Sequence, residues 1–250
     1  MKILITGASS GIGLEMAKYL AKKKHELILV ARSKEKLEQL QQQLATKTTI
    51  IATDLSVEQK VKELYIVTRK DDIDVLINNA GFGICDNYDN IPLSKELEMI
   101  DTNIKAVQIL TKSYLRDMLK KDSGYILNVS SIAGLQPGGP LMSSYYASKS
   151  YIYSLTNGIN CELKKKKSKV HVACLCPGPV STNFNEVAGV KFSIKSLSAK
   201  YVAKYAIDEL LNRKSIIIPG FKMKLMVILE KILPTSLILN ISYKIQRKKF

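Results

Sequence analysis

The chain is poor in the residues that build metal and redox centres. Two of its 250 residues are histidine (His25 and His171) and four are cysteine, so a histidine-based metal site is not expected. Cys85, Cys161, Cys174 and Cys176 form neither a CxxC pair nor a zinc-type spacing. Cys174-Leu175-Cys176 reads as a strand with thiols on opposite faces, and a reduced, structural role is expected. No uninterrupted apolar run is long enough for a transmembrane helix. The opening MKILITGASS runs straight into a glycine turn, without the apolar region and cleavage site of a signal peptide. A cytoplasmic location is the expectation. Acids are scarce as well: 22 Asp and Glu face 38 Lys and Arg, for a net charge of +16. The lysines gather at helix ends and loops, as in KKK at 22–24 and KKKK at 164–167, where cations complement the helix dipole. They read as solvated surface, and no nucleic-acid partner is expected. Attraction for anionic cofactors, acyl-carrier proteins or anionic lipid stays open.

What is present is a chain with 46% apolar residues, long enough for one sizeable core, and a single domain over 1–250 is expected. KILIT, ELILVAR, TTIIATDL, DVLINNAG, GYILNVSS, KVHVACLC and SIIIPG read as seven strands. Between them lie segments of helical periodicity, including a long one at about 94–121 and another at about 144–166. Strands alternating with helices call for right-handed crossovers, giving an α/β fold with a doubly wound parallel sheet in three layers.

The first strand-to-helix turn is TGASSGIG, with Gly7, Gly11 and Gly13. Glycines there let the backbone approach a pyrophosphate, and the helix N-terminus offers free N–H groups to the anion. The second strand of a dinucleotide fold usually ends near an acid that binds the ribose hydroxyls. That acid is missing: VARSK places Arg32 and Ser33 there. A guanidinium suits a 2′-phosphate, so NADP(H) is expected over NAD(H). Asp54–Leu55 and Asn79-Ala80-Gly81 end the third and fourth strands, where the ligand crevice of such a sheet forms.

TGASSGIG, DL, NNAG, NVSS, YYASK and PGPVST stand in this order over residues 1 to about 220. In this the chain resembles the short-chain dehydrogenase/reductase family, in the branch of about 250 residues. Within that family it is similar to a bacterial subgroup named after a teichoic-acid alanylation locus. The resemblance implies a Rossmann-like fold and reversible carbonyl–alcohol chemistry with a nicotinamide cofactor. It implies that Thr6, Gly7, Ser9, Ser10, Gly11, Ile12 and Gly13 form the pyrophosphate turn, that Asp54 meets the adenine, and that Asn79 supports the cofactor channel. By the same likeness Asn103 orders a proton-relay water. Pro177, Gly178, Val180 and Thr182 hold the nicotinamide carboxamide, and Lys149 holds the nicotinamide ribose. A homodimer or homotetramer is also implied.

Hydride transfer to a carbonyl leaves an alkoxide that needs a proton. A free phenol titrates near ~10, so a tyrosine serves at neutral pH only if a nearby cation favours its phenolate. In SSYYASKS, Tyr145 has Lys149 at i+4 on its helix face, whereas Tyr146 has Ser150. Tyr19 and Lys23 share this spacing but lack a strand-end serine upstream and belong to a helix that ends in solvated lysines. By context, then, Tyr145 is the expected general acid/base, with Tyr146 as packing. Ser131 is expected to hold the substrate oxygen, with Ser130 its competitor. Ser131 and Tyr145 lie 14 positions apart, one longer than the interval usual in the family, and QPGGP suggests an inserted glycine. A cofactor-binding regulator without turnover is the alternative of another class; the intact Asn103, Ser131, Tyr145 and Lys149 argue against it.

Substrate specificity is expected from 134–143, 85–90 and 182–197. Leu135, Leu141, Met142, Phe184, Val187, Val190 and Phe192 there suit a small hydrophobic carbonyl or alcohol. The tail, 221–250, is apolar with basic flanks and is split by Pro234. It is expected to form a capping or oligomer-contact helix pair. Lying on an anionic membrane, as in a peripheral 3-oxoacyl or lipid reductase, or packing over the substrate cleft are the alternatives.

Overall fold

The computed structural model describes residues 1–182 and 196–247. Seven parallel strands form one sheet: β1 (Lys2–Thr6), β2 (Glu26–Ala31), β3 (Thr48–Ala52), β4 (Val75–Asn78), β5 (Tyr125–Val129), β6 (His171–Leu175) and β9 (Ile216–Ile217). Their order across the sheet is β3-β2-β1-β4-β5-β6-β9. A two-stranded ribbon, β7 (Val180–Ser181) with β8 (Leu197–Ser198), stands apart. The seven strands and the helices between them are those the alternating pattern predicts, and the architecture is Rossmann-like.

β4 and β6 are buried along their whole length and β2 along all but its first residue, as expected where helices cover both sides of a parallel sheet. Leu27, Leu29 and Ile77 face α1 (Gly11–Lys22) and α7 (Ala199–Leu211). Leu4, Ile28, Leu76 and Ile126 face α3 (Glu58–Thr68) and α5 (Ala106–Lys120). Each such fully buried side chain contributes about 1.5–3 kcal/mol relative to exposure.

The long helical stretch is one continuous helix with a flaw. α4 (Leu93–Ile100) passes into α5 through a π-helical turn at Asp101–Lys105. Such turns insert an extra residue and re-aim side chains, often at functional sites. Here the turn carries Asn103, which is buried. Two further helices close the chain, α8 (Phe221–Glu230) and α9 (Thr235–Arg247), after α6 (Ser143–Lys165) has crossed behind the site.

One expectation fails. Cys174 and Cys176 do not face apart: their Sγ atoms lie 3.6 Å from each other and both side chains are fully buried. Alternate residues of an extended strand share a face, so a Cys-Leu-Cys run brings its thiols together.

Candidate active site

At the carboxyl ends of the strands a cavity of about 930 Å³ runs from the glycine turn to the tail helices. Its cofactor end begins where β1 gives way to α1. Gly7 takes φ +65°, and a Cβ there would lie 2.8 Å from the Ala80 Cα. Gly13 has no such backbone demand but sits 2.4 Å, at a virtual Cβ, from both the Gly7 carbonyl and the Asn79 amide. Asn79 Nδ2 donates to the carbonyls of Thr6 and Gly7, each at 3.1 Å. Thr6 Oγ1 accepts from the N–H groups of Asn79 and Ala80. Thr6, Asn79 and Gly13 thus lock the β1 and β4 turns together. Gly7, Ser9, Ser10, Gly11 and Ile12 form the surface towards the cavity, which Thr6 and Gly13 do not reach. No side chain caps the N-terminus of α1 at Ser10, so its first-turn amides suit an anion. A cradle that any Cβ would fill, ending on an uncapped helix, fits a dinucleotide pyrophosphate.

Arg32, Ser33, Asp54, Leu55, Ala80 and Gly81 also line the cavity. Arg32 is two-thirds exposed and pairs loosely with Glu98, at 3.5 Å. Ser33 caps α2 (Lys34–Gln43), accepting from Lys36 N–H at 3.3 Å and donating to Glu35. Lys36 lines the cavity beside them; the sequence reading missed this second cation, which stands one helical turn beyond the cap. Burial opposes the charge on Asp54, yet its bonds to Ser56 and the charges of Arg32 and Lys60 prevail and hold the carboxyl below its ordinary value.

The other end of the cavity holds Ser131, Tyr145 and Lys149, the set expected to react. Ser131 follows β5, its hydroxyl accepting from Ala133 N–H at 3.1 Å and bonding the Tyr145 phenol. Ser130, its competitor, donates instead to the Lys149 carbonyl at 2.7 Å and so fastens α6 to β5. Lys149 is buried and donates to the Val129 carbonyl at 3.1 Å, with Nζ 5.8 Å from the centre of the Tyr145 ring. Burial draws Lys149 down to about 8. Burial also pushes Tyr145 up to about 12, against the lowering effect of the Ser131 bond. The expectation that Lys149 brings the phenol down is therefore not met in the protein alone: both groups are desolvated, and for each that outweighs its neighbours.

Asn103 does not reach the cavity lining. Its amide exchanges two bonds with the Phe82 backbone, at 2.9 and 3.0 Å, and donates to Ser148 Oγ at 3.1 Å. The π-turn thus clasps the end of β4 to α6, next to Gly81, where a Cβ would crowd both Asn103 and Lys149. Below it Asn78 donates to Asn128 and Asn128 to Thr156, at 2.9 and 3.0 Å, tying β4, β5 and α6 in the buried layer. Pro177, Gly178, Val180 and Thr182 complete the lining, and Ile132 N–H donates to the Pro177 carbonyl.

The remaining wall differs from expectation. Among 85–90 none lines the cavity, and of the apolar residues expected at 134–143 Met142 does. Phe184, Val187, Val190 and Phe192 lie outside the described residues. The apolar wall is the tail: Met223, Met226, Leu229, Leu233, Ile238 and Ile241 all face the cavity. Met223 packs onto Gly178, where a Cβ would sit 2.6 Å from its sulfur. Glu230 bonds Gln136, and Gln246 bonds the Tyr146 hydroxyl. Within the chain the tail packs over the cavity, as one of the roles considered for it requires.

A doubly wound sheet with a glycine cradle and a Ser–Tyr–Lys set at the ends of its strands defines a dinucleotide-dependent oxidoreductase. The model of the short chain dehydrogenase family matches residues 1–190, and the chain belongs to that family. As a member it is an oxidoreductase acting on CH–OH or carbonyl groups with a nicotinamide cofactor. An uncharacterized oxidoreductase of Staphylococcus epidermidis is 30% identical over 80% of this chain and 86% of its own. The very-long-chain 3-oxoacyl-CoA reductase of Anas platyrhynchos is 33% identical over 76% of this chain and 62% of its own. Among solved structures, a short-chain dehydrogenase from Sphingobium yanoikuyae in complex with NADPH superposes with a TM-score of 0.82, at 27% identity and 88% of both chains. The bulky-bulky ketone specific alcohol dehydrogenase of Comamonas testosteroni does so with 0.78, at 25% identity, over 92% of this chain and 90% of its own.

Proposed function

We propose that the protein interconverts a bulky apolar ketone and its secondary alcohol with NADP(H), and that reduction is the favoured direction at neutral pH. One observation carries this reading: Ser131, Tyr145 and Lys149 meet in a cavity whose far wall is aliphatic. A nicotinamide bound there would supply the hydride to the carbonyl carbon. Ser131 and Tyr145 present adjacent hydroxyls, a corner in which two donors hold one carbonyl oxygen. Tyr145 then gives its proton to that oxygen as negative charge builds on it. A phenol pushed up to about 12 is neutral at pH 7, which is the form a proton donor needs. Lys149 remains largely charged at that pH and stabilises the phenolate left behind. Arg32 and Lys36 offer two cations for the 2′-phosphate of NADP(H). Consistent with this, the relative from Sphingobium yanoikuyae holds NADPH, and the one from Comamonas testosteroni takes bulky ketones. The working unit is a homodimer or homotetramer, a point checked by light scattering.

The test is a panel of ketones of increasing bulk, each with NADPH and with NADH. Consumption of NADPH is expected with bulky apolar ketones, and Tyr145→Phe abolishes it. Equal rates in Tyr145→Phe, or consumption of NADH alone, would overturn the reading.

A further inference from the structure

α8 is apolar on two faces, and among the described residues only one of them packs inward. Met223, Met226 and Val227 point inward. Phe221, Ile228 and Ile232 point the other way: they are 80%, 62% and 77% exposed and do not line the cavity. With Leu225 they fall at i, i+4, i+7 and i+11, a single stripe along the helix and the turn after it. Exposed Lys222 borders this stripe on one side and exposed Lys231 on the other, as the helical spacing requires. Half-buried Lys224, on the Lys231 side, donates to the Tyr205 hydroxyl at 3.1 Å. α9 adds Leu237, Ile241 and Ile245 at i, i+4 and i+8, all more than a third exposed. Between 221 and 247 there are five basic residues and one acid, Glu230, and that acid is bonded to Gln136. Large apolar side chains seldom stand this exposed in a row without something to cover them.

We propose that α8 and α9 dock this protein on a bilayer surface bearing anionic lipid headgroups. The stripe enters the boundary between headgroups and acyl chains, and the lysines beside it meet the phosphates. The charge pattern selects this occupant. Cations of one sign border an apolar stripe on both sides, which matches a sheet of phosphates around acyl chains. A second copy of the chain would bring the same cations against these. No helix among the described residues is long and apolar enough to cross a membrane, so the pair lies on the surface. Leu225, Leu229, Ile241 and Ile245 are both exposed and part of the cavity wall. Docking therefore sets the rim of the cavity against the lipid, and an apolar carbonyl compound reaches Tyr145 without crossing water. This route rests on the catalytic reading above; the docking itself does not.

Flotation of the full-length protein tests it, using vesicles of phosphatidylcholine alone and of phosphatidylcholine with about 30 mol% phosphatidylglycerol. The protein floats with the anionic vesicles at low salt and stays behind with neutral ones or at high salt. Ile228→Ser with Ile232→Ser, and separately Lys231→Glu, lower the bound fraction roughly tenfold, while NADPH oxidation on a water-soluble ketone is unchanged. Absence of flotation, or flotation indifferent to these changes, overturns the proposal. So does a dimer in light scattering that the same changes dissociate, since a second copy then covers the stripe. Tyr145→Phe floats like the parent; a parent that floats but turns over no ketone sinks the catalytic reading alone.

Discussion

Gln246 donates to the Tyr146 hydroxyl across 2.9 Å, so the tyrosine beside Tyr145 is the anchor for the tail. The two rings of the YY pair meet edge to face with centres 6.2 Å apart. One phenol bonds Ser131 and the other bonds the tail. Substituting each with phenylalanine should therefore give opposite signatures. Tyr145→Phe lowers kcat by 10²–10⁴, the usual share of a general acid, and by losing its bond to Ser131 costs about 1 kcal/mol of stability. Tyr146→Phe loses one buried bond, about 1 kcal/mol, and raises KM for apolar ketones while kcat holds. Steady-state kinetics on both variants check this; a collapse of kcat in Tyr146→Phe would exchange the roles.

Arg32 and Lys36 lie on the same edge of the cavity, separated by the cap of α2. Charge-assisted bonds contribute about 1.5–3 kcal/mol each. Arg32→Ala should weaken NADPH roughly tenfold or more and leave NADH unaffected; Lys36→Ala should act in the same sense but less, because a lysine contact is a single point charge. Fluorescence titration with both cofactors decides it. Equal losses for NADPH and NADH would mean that neither cation meets the 2′-phosphate.

Much of this was legible in the sequence because parallel strands must be apolar throughout and the turns after them must be small. The glycine cradle follows from local spacing, whereas Ser131 and the pair of Tyr145 and Lys149 stand out only by the order of the family motifs around them, since Tyr19 and Lys23 share the same i, i+4 spacing. Other features depend on distant segments. The register that sets Asn78 opposite Asn128 explains why NNAG and NVSS both begin with asparagine, but nothing local announces it. Asn103 reads as one position in a long helix, and the π-turn that presents it is a departure from periodicity rather than a pattern. The tail was visible as apolar and basic. Which of its faces would turn inward depended on Gly178, Gln136 and Tyr146, up to 100 residues earlier in the chain than their tail partners.

The pH behaviour follows from two buried groups. Lys149 titrates at about 8 in the folded protein, below its ordinary 10.5. Between those values the unfolded chain binds more protons, so stability rises with pH from about 8 towards 10. Above 10 Tyr145, raised to about 12, acts in the opposite sense. Below pH 8 the charged lysine costs the fold on the order of 3 kcal/mol, and Lys149→Met should raise Tm at pH 7 while lowering turnover. Calorimetry at pH 7 and 9 checks the first half, and a lower Tm in the variant would contradict it. In the parent enzyme kcat/KM for reduction should hold up to about pH 7 and fall through about 8, as Lys149 loses the charge that steadies the phenolate.

The loop between Ser131 and Tyr145, where the sequence suggests an inserted glycine, packs on Tyr146. Gly139 lies flat on the Tyr146 ring, where a Cβ would come within 2.2 Å of two ring carbons. Its carbonyl accepts from Met142 N–H at 3.0 Å, just ahead of α6. The ring cannot retreat freely, because Gln246 holds its hydroxyl from the tail. Gly139→Ala must then push either the loop or the tail, and overpacking of this kind costs about 1–3 kcal/mol. Ser131 is held from the other side by Ala133 and stays with Tyr145. The expected outcome is a lower Tm and a shift in preference towards smaller ketones, with kcat on the smallest nearly unchanged. Relative rates across a size series read this directly; a uniform fall in kcat over the whole series would mean that the loop positions Tyr145 rather than the substrate.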